Sequence, residues 1–258
     1  MYKEIDLSVF PIERKEKLEK IFRYAYFEVL FYRSDLWKHS HRVLWLLEEI
    51  IPVAQKYISF DIEKARTLAL VHDDAEMVTG DVQAIVKLRM TPEELEALGK
   101  QEEEAIMKLV QSYPKQINGY SYEELLMHAA RKDCIEAQLV SYVDKLDAYC
   151  ESLHEVYAGN ISLLRSVTFY SNALPLFPYK FPALKDLLSN KDSVLTHITD
   201  QVSPFDIPAS RFSHLNRPFD AESVKIDADF PFYNTWKKIV IEKGHIDWLV
   251  NQKEFLPK

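Results

Sequence analysis

Apolar residues along the first two thirds of the chain recur at helical spacing, and no segment shows a convincing two-residue alternation. The clearest stripe is Val43, Leu46, Leu47 and Ile50 in HSHRVLWLLEEIIPVAQKY. Such stripes need a shared core to bury them, so the expected class is all-α. The spacing predicts helices over residues 12–32, 39–57, 62–77, 92–110, 121–130 and 134–156. Pro52 is expected to kink or end the second of these. Asp61 reads as an N-cap, Gly80 as a C-terminal stop, and Thr91-Pro92-Glu93-Glu94 as a capping box with proline at the first helical position.

After Gly159 the character changes. Prolines at 175, 178, 182, 204, 208, 218 and 231 are interleaved with aromatics. Residues 1–159 are therefore read as the helical core and 160–258 as an extension packed on it, with short helical pieces such as ALKDLLSN and FPFYNTWKKIVIEK.

Composition narrows the function. Hydrophobic residues make up 47% and charged residues 28%, as in an ordinary globular protein. Only 5 glycines occur in 258 residues, and neither GxGxxG nor a Walker A sequence is present, so any phosphate must be held by another device. The net charge of −8, from 32 basic and 40 acidic residues, speaks against a general nucleic-acid binder. The opening MYKEIDLSVFPIERKEK has no signal-type apolar run, and no stretch suits a membrane span. Cys134 and Cys150 read as free thiols of a reducing compartment, so the expected location is cytoplasmic.

The chemistry lies in histidines and aspartates on apolar segments. His72 and Asp73 are adjacent in LALVHDDAE, and about 100° apart around a helix. His39 continues the stripe through Val43, Leu46 and Ile50. Its rival His41 falls in line with Trp45 and Glu48 instead. Asp144 lies in LVSYVDKLDAY, where an ionised carboxylate is costly unless paired or bound to a cation, and Asp147 is its substitute. Two imidazoles and two carboxylates suit one divalent ion: Mn, Co, Fe, Ni, Zn or Mg.

KHSHRV, VHDDAEMVTGDV and EAQLVSYVDKLD resemble the three signature segments of the HD-domain metal-dependent phosphohydrolases, and within them the bacterial 5′-deoxyribonucleotidase branch. The resemblance covers residues 20–158, and the HDxxE-xxTGD pattern is its most specific part. It implies an HD-type helical bundle with His39, His72, Asp73 and Asp144 as metal ligands. Glu76 would accept a proton from the attacking water, and Asp81 would meet the sugar as well as serving catalysis. Upstream, Arg33 and Arg23 are both candidates for substrate phosphate, with Lys87 as a second cation and Trp37 as a surface for stacking a base. Lys38 stands where the pattern commonly has an acid, and the arginine–tryptophan substrate pair of the branch is missing. His128 is the one extra histidine before Asp144, too few for a second metal in the same site.

The function expected is removal of phosphate from a small phosphorylated substrate, a (deoxy)nucleoside 5′-monophosphate. Hydrolysis of a nucleoside triphosphate or an alarmone, or a non-catalytic nucleotide-binding module, are the alternatives. A homodimer is compatible with the sequence; nucleic acid and membrane are not expected partners.

Overall fold

A computed structural model describes residues 5–24, 34–157, 160–190 and 231–243. The class is all-α, with one two-stranded hairpin as the only sheet among the described residues. The helices up to residue 157 are α1 (Ile12–Leu18), α2 (Leu36–Ala54), α3 (Ile62–Val71), α4 (Glu76–Thr79), α5 (Ala84–Lys87), α6 (Pro92–Ser112), α7 (Tyr122–Arg131) and α8 (Ile135–Tyr157). Strands β1 (Gln116–Ile117) and β2 (Tyr120–Ser121) pair antiparallel between α6 and α7, joined through Asn118 and Gly119, both at positive φ. No helix among the described residues is long and apolar enough to cross a membrane.

The chain divides into two compact units, and the division falls inside α8. The first unit takes residues up to Arg23 and Ser34–Val143. Its core is built on the stripe that the sequence predicts: Val43, Leu46, Leu47 and Ile50 of α2 have no exposure, nor have Ala65, Leu68 and Ala69 of α3. Leu125 and Leu126 of α7 and Leu139 and Val143 of α8 are also buried.

Caps set the helix starts. Asp35 accepts the Lys38 N–H at 2.9 Å, so α2 begins at Leu36, three residues before the sequence-based start at His39. Asp61 accepts the Lys64 N–H at 3.1 Å, and Thr91 and Glu94 close a reciprocal capping box. Ser121 opens α7 in the same manner. Pro52 does not end α2: the helix runs through it to Ala54, at the cost of the one bond that a residue with an amide would donate four positions back.

Two expected helices are shorter than the sequence suggests. The one expected over 12–32 stops at Leu18; Phe22 pairs with Asp35 as an isolated bridge and Tyr24 has φ 55°. Residues 25–33 lie outside the described residues. The helix expected over 62–77 stops at Val71, and a turn carries His72–Ala75 before α4 begins at Glu76.

The second unit comprises residues 24–33 and 144–258. It contains short helices at Leu164–Ala173 (α9), Phe177–Lys180 (α10) and Lys185–Leu188 (α11), and a longer one at Pro231–Glu242. Two buried polar contacts tie that last helix to α8. Trp236 Nε1 donates to Asp147 Oδ1 at 2.7 Å, and the Tyr233 hydroxyl lies 2.6 Å from His154 Nδ1. Tyr24 donates its hydroxyl to the Ala148 carbonyl at 2.8 Å.

Candidate active site

After Val71 the chain passes through a tight turn with helical dihedrals at His72 and Ala75. The His72 and Asp73 side chains both reach His39 of α2. His39, with no exposure, has its Nε2 3.4 Å from Asp73 Oδ2, and His72 Nε2 lies 3.3 Å from the same oxygen. The two imidazole rings meet edge to face with centroids 5.3 Å apart. His72 Nδ1 sits 2.9 Å from the Ala69 carbonyl. A carbonyl only accepts, so Nδ1 carries the proton and Nε2 presents its lone pair toward Asp73.

These spacings are those of ligands around a cation. Two donors at about 2.1 Å from a tetrahedral centre stand about 3.4 Å apart. Asp144, expected as a further ligand, falls in the second unit. Lys145 pairs with the Asp144 carboxylate. The donor set, imidazole and carboxylate with no thiolate, fits a borderline or hard divalent ion.

Glu76 begins α4, and its Oε2 is buried without a hydrogen bond from the described residues. Burial, reinforced by the charges of Asp73 and Asp81, pushes its carboxyl well above the ordinary range, against the pull of Arg23 and Lys87. Asp81 is raised for the same first reason, burial, while Arg23 opposes it. Glu76, Asp81 and Lys87 thus share one electrostatic neighbourhood with Asp73. Between His72 and Glu76 the regular helix expected is replaced by a tighter turn, with Asp74 N–H donating to the Val71 carbonyl and Glu76 N–H to the Asp73 carbonyl, both at 2.9 Å. Gly80, at φ 75° and ψ 162°, ends α4 and lets Asp81 turn back.

Arg23 is the upstream arginine found here: its Nη1 lies 4.0 Å from Asp73 Oδ2, with side-chain exposure of 12%. Arg33 lies outside the described residues. His41 points elsewhere: its Nδ1 meets the Trp37 carbonyl at 2.7 Å, and its ring packs on Trp37 at 4.4 Å and Trp45 at 6.0 Å. Trp37 also has the Arg14 guanidinium at 5.5 Å and the Lys15 ammonium at 5.6 Å from its ring centroid. Asp147 is turned to Trp236.

Sequence reasoning missed the residues that hold the turn. Asp74, fully buried, accepts from Arg14 Nε and Nη2, both at 2.8 Å, and from the Tyr122 hydroxyl at 2.8 Å. Arg14 also donates to the Leu70 carbonyl at 2.7 Å. The signal available was a second aspartate in an apolar segment, which needs a buried partner as much as the first does.

A family model described as 5′-deoxynucleotidase YfbR-like matches residues 14–174, more than half of the chain. The chain belongs to this family. Among curated relatives of the YfbR-like family, a 5′-deoxynucleotidase of Vibrio parahaemolyticus is 29% identical over 125 residues, 48% of this chain and 63% of its own length. One from Yersinia pseudotuberculosis is 27% identical over 142 residues, 54% of this chain and 70% of its own. The chain thus spans less than two thirds of the Vibrio relative. Solved structures bear out the fold. The PH0347 protein of Pyrococcus horikoshii superposes with a TM-score of 0.56 at 21% identity, over 74% of this chain and 99% of its own. An HD-domain phosphohydrolase of Listeria innocua gives 0.54 at 22% identity, over 69% and 84%.

Proposed function

We propose that this YfbR-like chain is a metal-dependent phosphomonoesterase acting on nucleoside 5′-monophosphates, with deoxyribose as the favoured sugar. The observation that carries this reading is the convergence of His39 and His72 Nε2 on one Asp73 oxygen, at 3.4 and 3.3 Å, in a segment where the Glu76 Oε2 atom is also buried. His39, His72 and Asp73 would hold the ion, with Asp144 as the further ligand that the sequence resemblance implies. A divalent ion bound there supplies an acidified water and neutralises phosphate charge.

The chain's own groups do the remaining work. Glu76, whose carboxyl burial raises above the ordinary carboxylate range, takes a proton from the attacking water. Arg23 has a guanidinium suited to two phosphate oxygens, and Lys87 adds a positive charge from α5. Asp81, beyond the Gly80 stop, accepts a hydrogen bond from a sugar hydroxyl. Trp37 is less suited to stacking a base, since His41, Arg14 and Lys15 already crowd its ring.

The test is phosphate release from a panel of ribo- and deoxyribonucleoside monophosphates, with Mn²⁺, Co²⁺, Ni²⁺, Zn²⁺ or Mg²⁺ added in turn. Hydrolysis that needs an added metal, stops with chelator and vanishes in Asp73→Ala is the expected result. A preparation with bound metal that releases no phosphate from any member of the panel would overturn the reading.

A further inference from the structure

A second cluster of donors lies in the first unit, at the junction of α7 and α8, apart from the residues assigned above. His128 in the last turn of α7, Asp133 in the connection and Cys134 just before α8 each offer one ligand atom, and these atoms all lie within 4.8 Å of one another. The backbone makes this meeting. Lys132 adopts a left-handed conformation, φ 54° and ψ 40°, which is costly for a residue with a side chain. That sharp reversal brings residues 133 and 134 back over the α7 end.

We propose that His128, Asp133 and Cys134 form a second, surface metal site for a thiophilic divalent cation of the zinc class, which clips the end of α7 to the start of α8. The three donor types, imidazole, carboxylate and thiolate, are those that Zn²⁺ takes, and a fourth position is open to water. Tetrahedral zinc ligands stand about 3.3–3.7 Å apart, within the spread seen here. His128 Nδ1 and Asp133 Oδ1, now 2.5 Å apart, must separate by roughly 1 Å to reach that spacing. Both side chains have room to do so, being 29% and 47% exposed.

Three positive groups lie near the cluster, and each also has another partner: Arg131 with Glu103 at 2.8 Å, Lys64 with Glu136 at 3.8 Å and the Lys132 ammonium with the Ala129 carbonyl at 3.3 Å. Arg131 still acts on Asp133 and Lys64 on Cys134, so a bound cation must offset both. Cys134 is half-buried at the start of α8; its carbonyl accepts the Gln138 N–H at 3.0 Å and its sulfur faces the Ala137 N–H. Burial, with Glu136 alongside, raises the thiol above its ordinary value, so without a cation it stays protonated. On binding, the thiol proton and the His128 Nδ1 proton pass to solvent, and sulfur and nitrogen donate lone pairs to the ion.

This inference stands apart from the phosphomonoesterase reading, and a thiolate signal separates the two sites. Cobalt(II) added to the full chain gives a near-ultraviolet sulfur-to-cobalt charge-transfer band only where a thiolate coordinates. The band is expected in the parent protein, in Cys150→Ser and in Asp73→Ala. It should be lost in Cys134→Ser and His128→Ala, with about one fewer equivalent of tightly bound Zn²⁺. Serine is a favoured residue at a helix start, so Cys134→Ser should keep the fold, checked by circular dichroism. No charge-transfer band at saturating cobalt, or a band that survives Cys134→Ser, would overturn the proposal.

Discussion

Arg14 and Asp74, far apart in sequence, form a bidentate pair with both contacts at 2.8 Å and side-chain exposures of 2% and 1%. Asp74 directly follows Asp73, so this pair fixes the turn on which the proposed metal ligands ride. Removing one partner of a buried pair typically costs about 3–5 kcal/mol. Arg14→Met should therefore lower the denaturation midpoint strongly. Asp73→Asn should leave stability nearly intact while abolishing metal binding. Urea titration of both variants checks this, and an unchanged midpoint for Arg14→Met would contradict it.

The two histidines of KHSHRV should separate cleanly. His39→Ala is expected to lose the bound metal and, with it, phosphatase activity by several orders of magnitude. His41→Ala removes a ring packed between Trp37 and Trp45 and should cost some stability while retaining the metal. Metal content by elemental analysis after gel filtration decides; the reverse pattern would mean that the register of α2 toward the ligands is misread.

The raised Glu76 carboxyl gives a pH signature in metal-free protein. Its folded value stands above the unfolded one of about 4.3, so its contribution to stability is complete below that pH. The contribution falls away as pH rises through the folded value, by up to about 1.4 kcal/mol per pH unit for one group. Melting temperatures measured in chelator should thus decline from mildly acidic toward neutral pH. Glu76→Gln should flatten that slope. A divalent ion should also flatten it, because its charge favours the ionised carboxylate. A Glu76→Gln variant with the parent's pH dependence would remove the argument.

Gly80 is the cheapest place to test whether Asp81 depends on the turn. A Cβ there would meet nothing within 4 Å, so the cost of Gly80→Ala is backbone strain alone, at φ 75°. That strain is on the order of 1–3 kcal/mol. Gly80→Ala should show a modest stability loss, an elevated KM and normal metal content. An unaltered KM would indicate that Asp81 does not owe its place to this reversal.

Much of the first unit could be read from local chemistry. Asp61, Thr91 with Glu94, and the α2 stripe each act through residues within a few positions of one another, which is the range that sequence patterns report. His39 was legible because its partners on the helix face are apolar. The end of α3 at Val71 was not. The apolar period runs on through LALVHDDAE, and what breaks it is a contact with Arg14, a residue that looks like one more charge in IERKEKL. The end of α1 at Leu18 escaped for a similar reason: the strand-like bridge from Phe22 to Asp35 is set by distant packing. For the same reason Trp37, which looks free in sequence, is a packing partner of α1.

The early end of α3 also decides where a field is placed. A helix carries about half a negative charge at its carbonyl end, and that influence fades within a turn. By stopping at Val71, α3 sets this end one residue from His72 and two from Asp73. The Leu70 carbonyl there already draws the Arg14 guanidinium to 2.7 Å. Had the helix continued through Glu76, as its apolar period suggests, the same negative end would have been carried past both proposed ligands toward Thr79. The break therefore adds a share of backbone charge that favours a cation, without adding another acidic side chain.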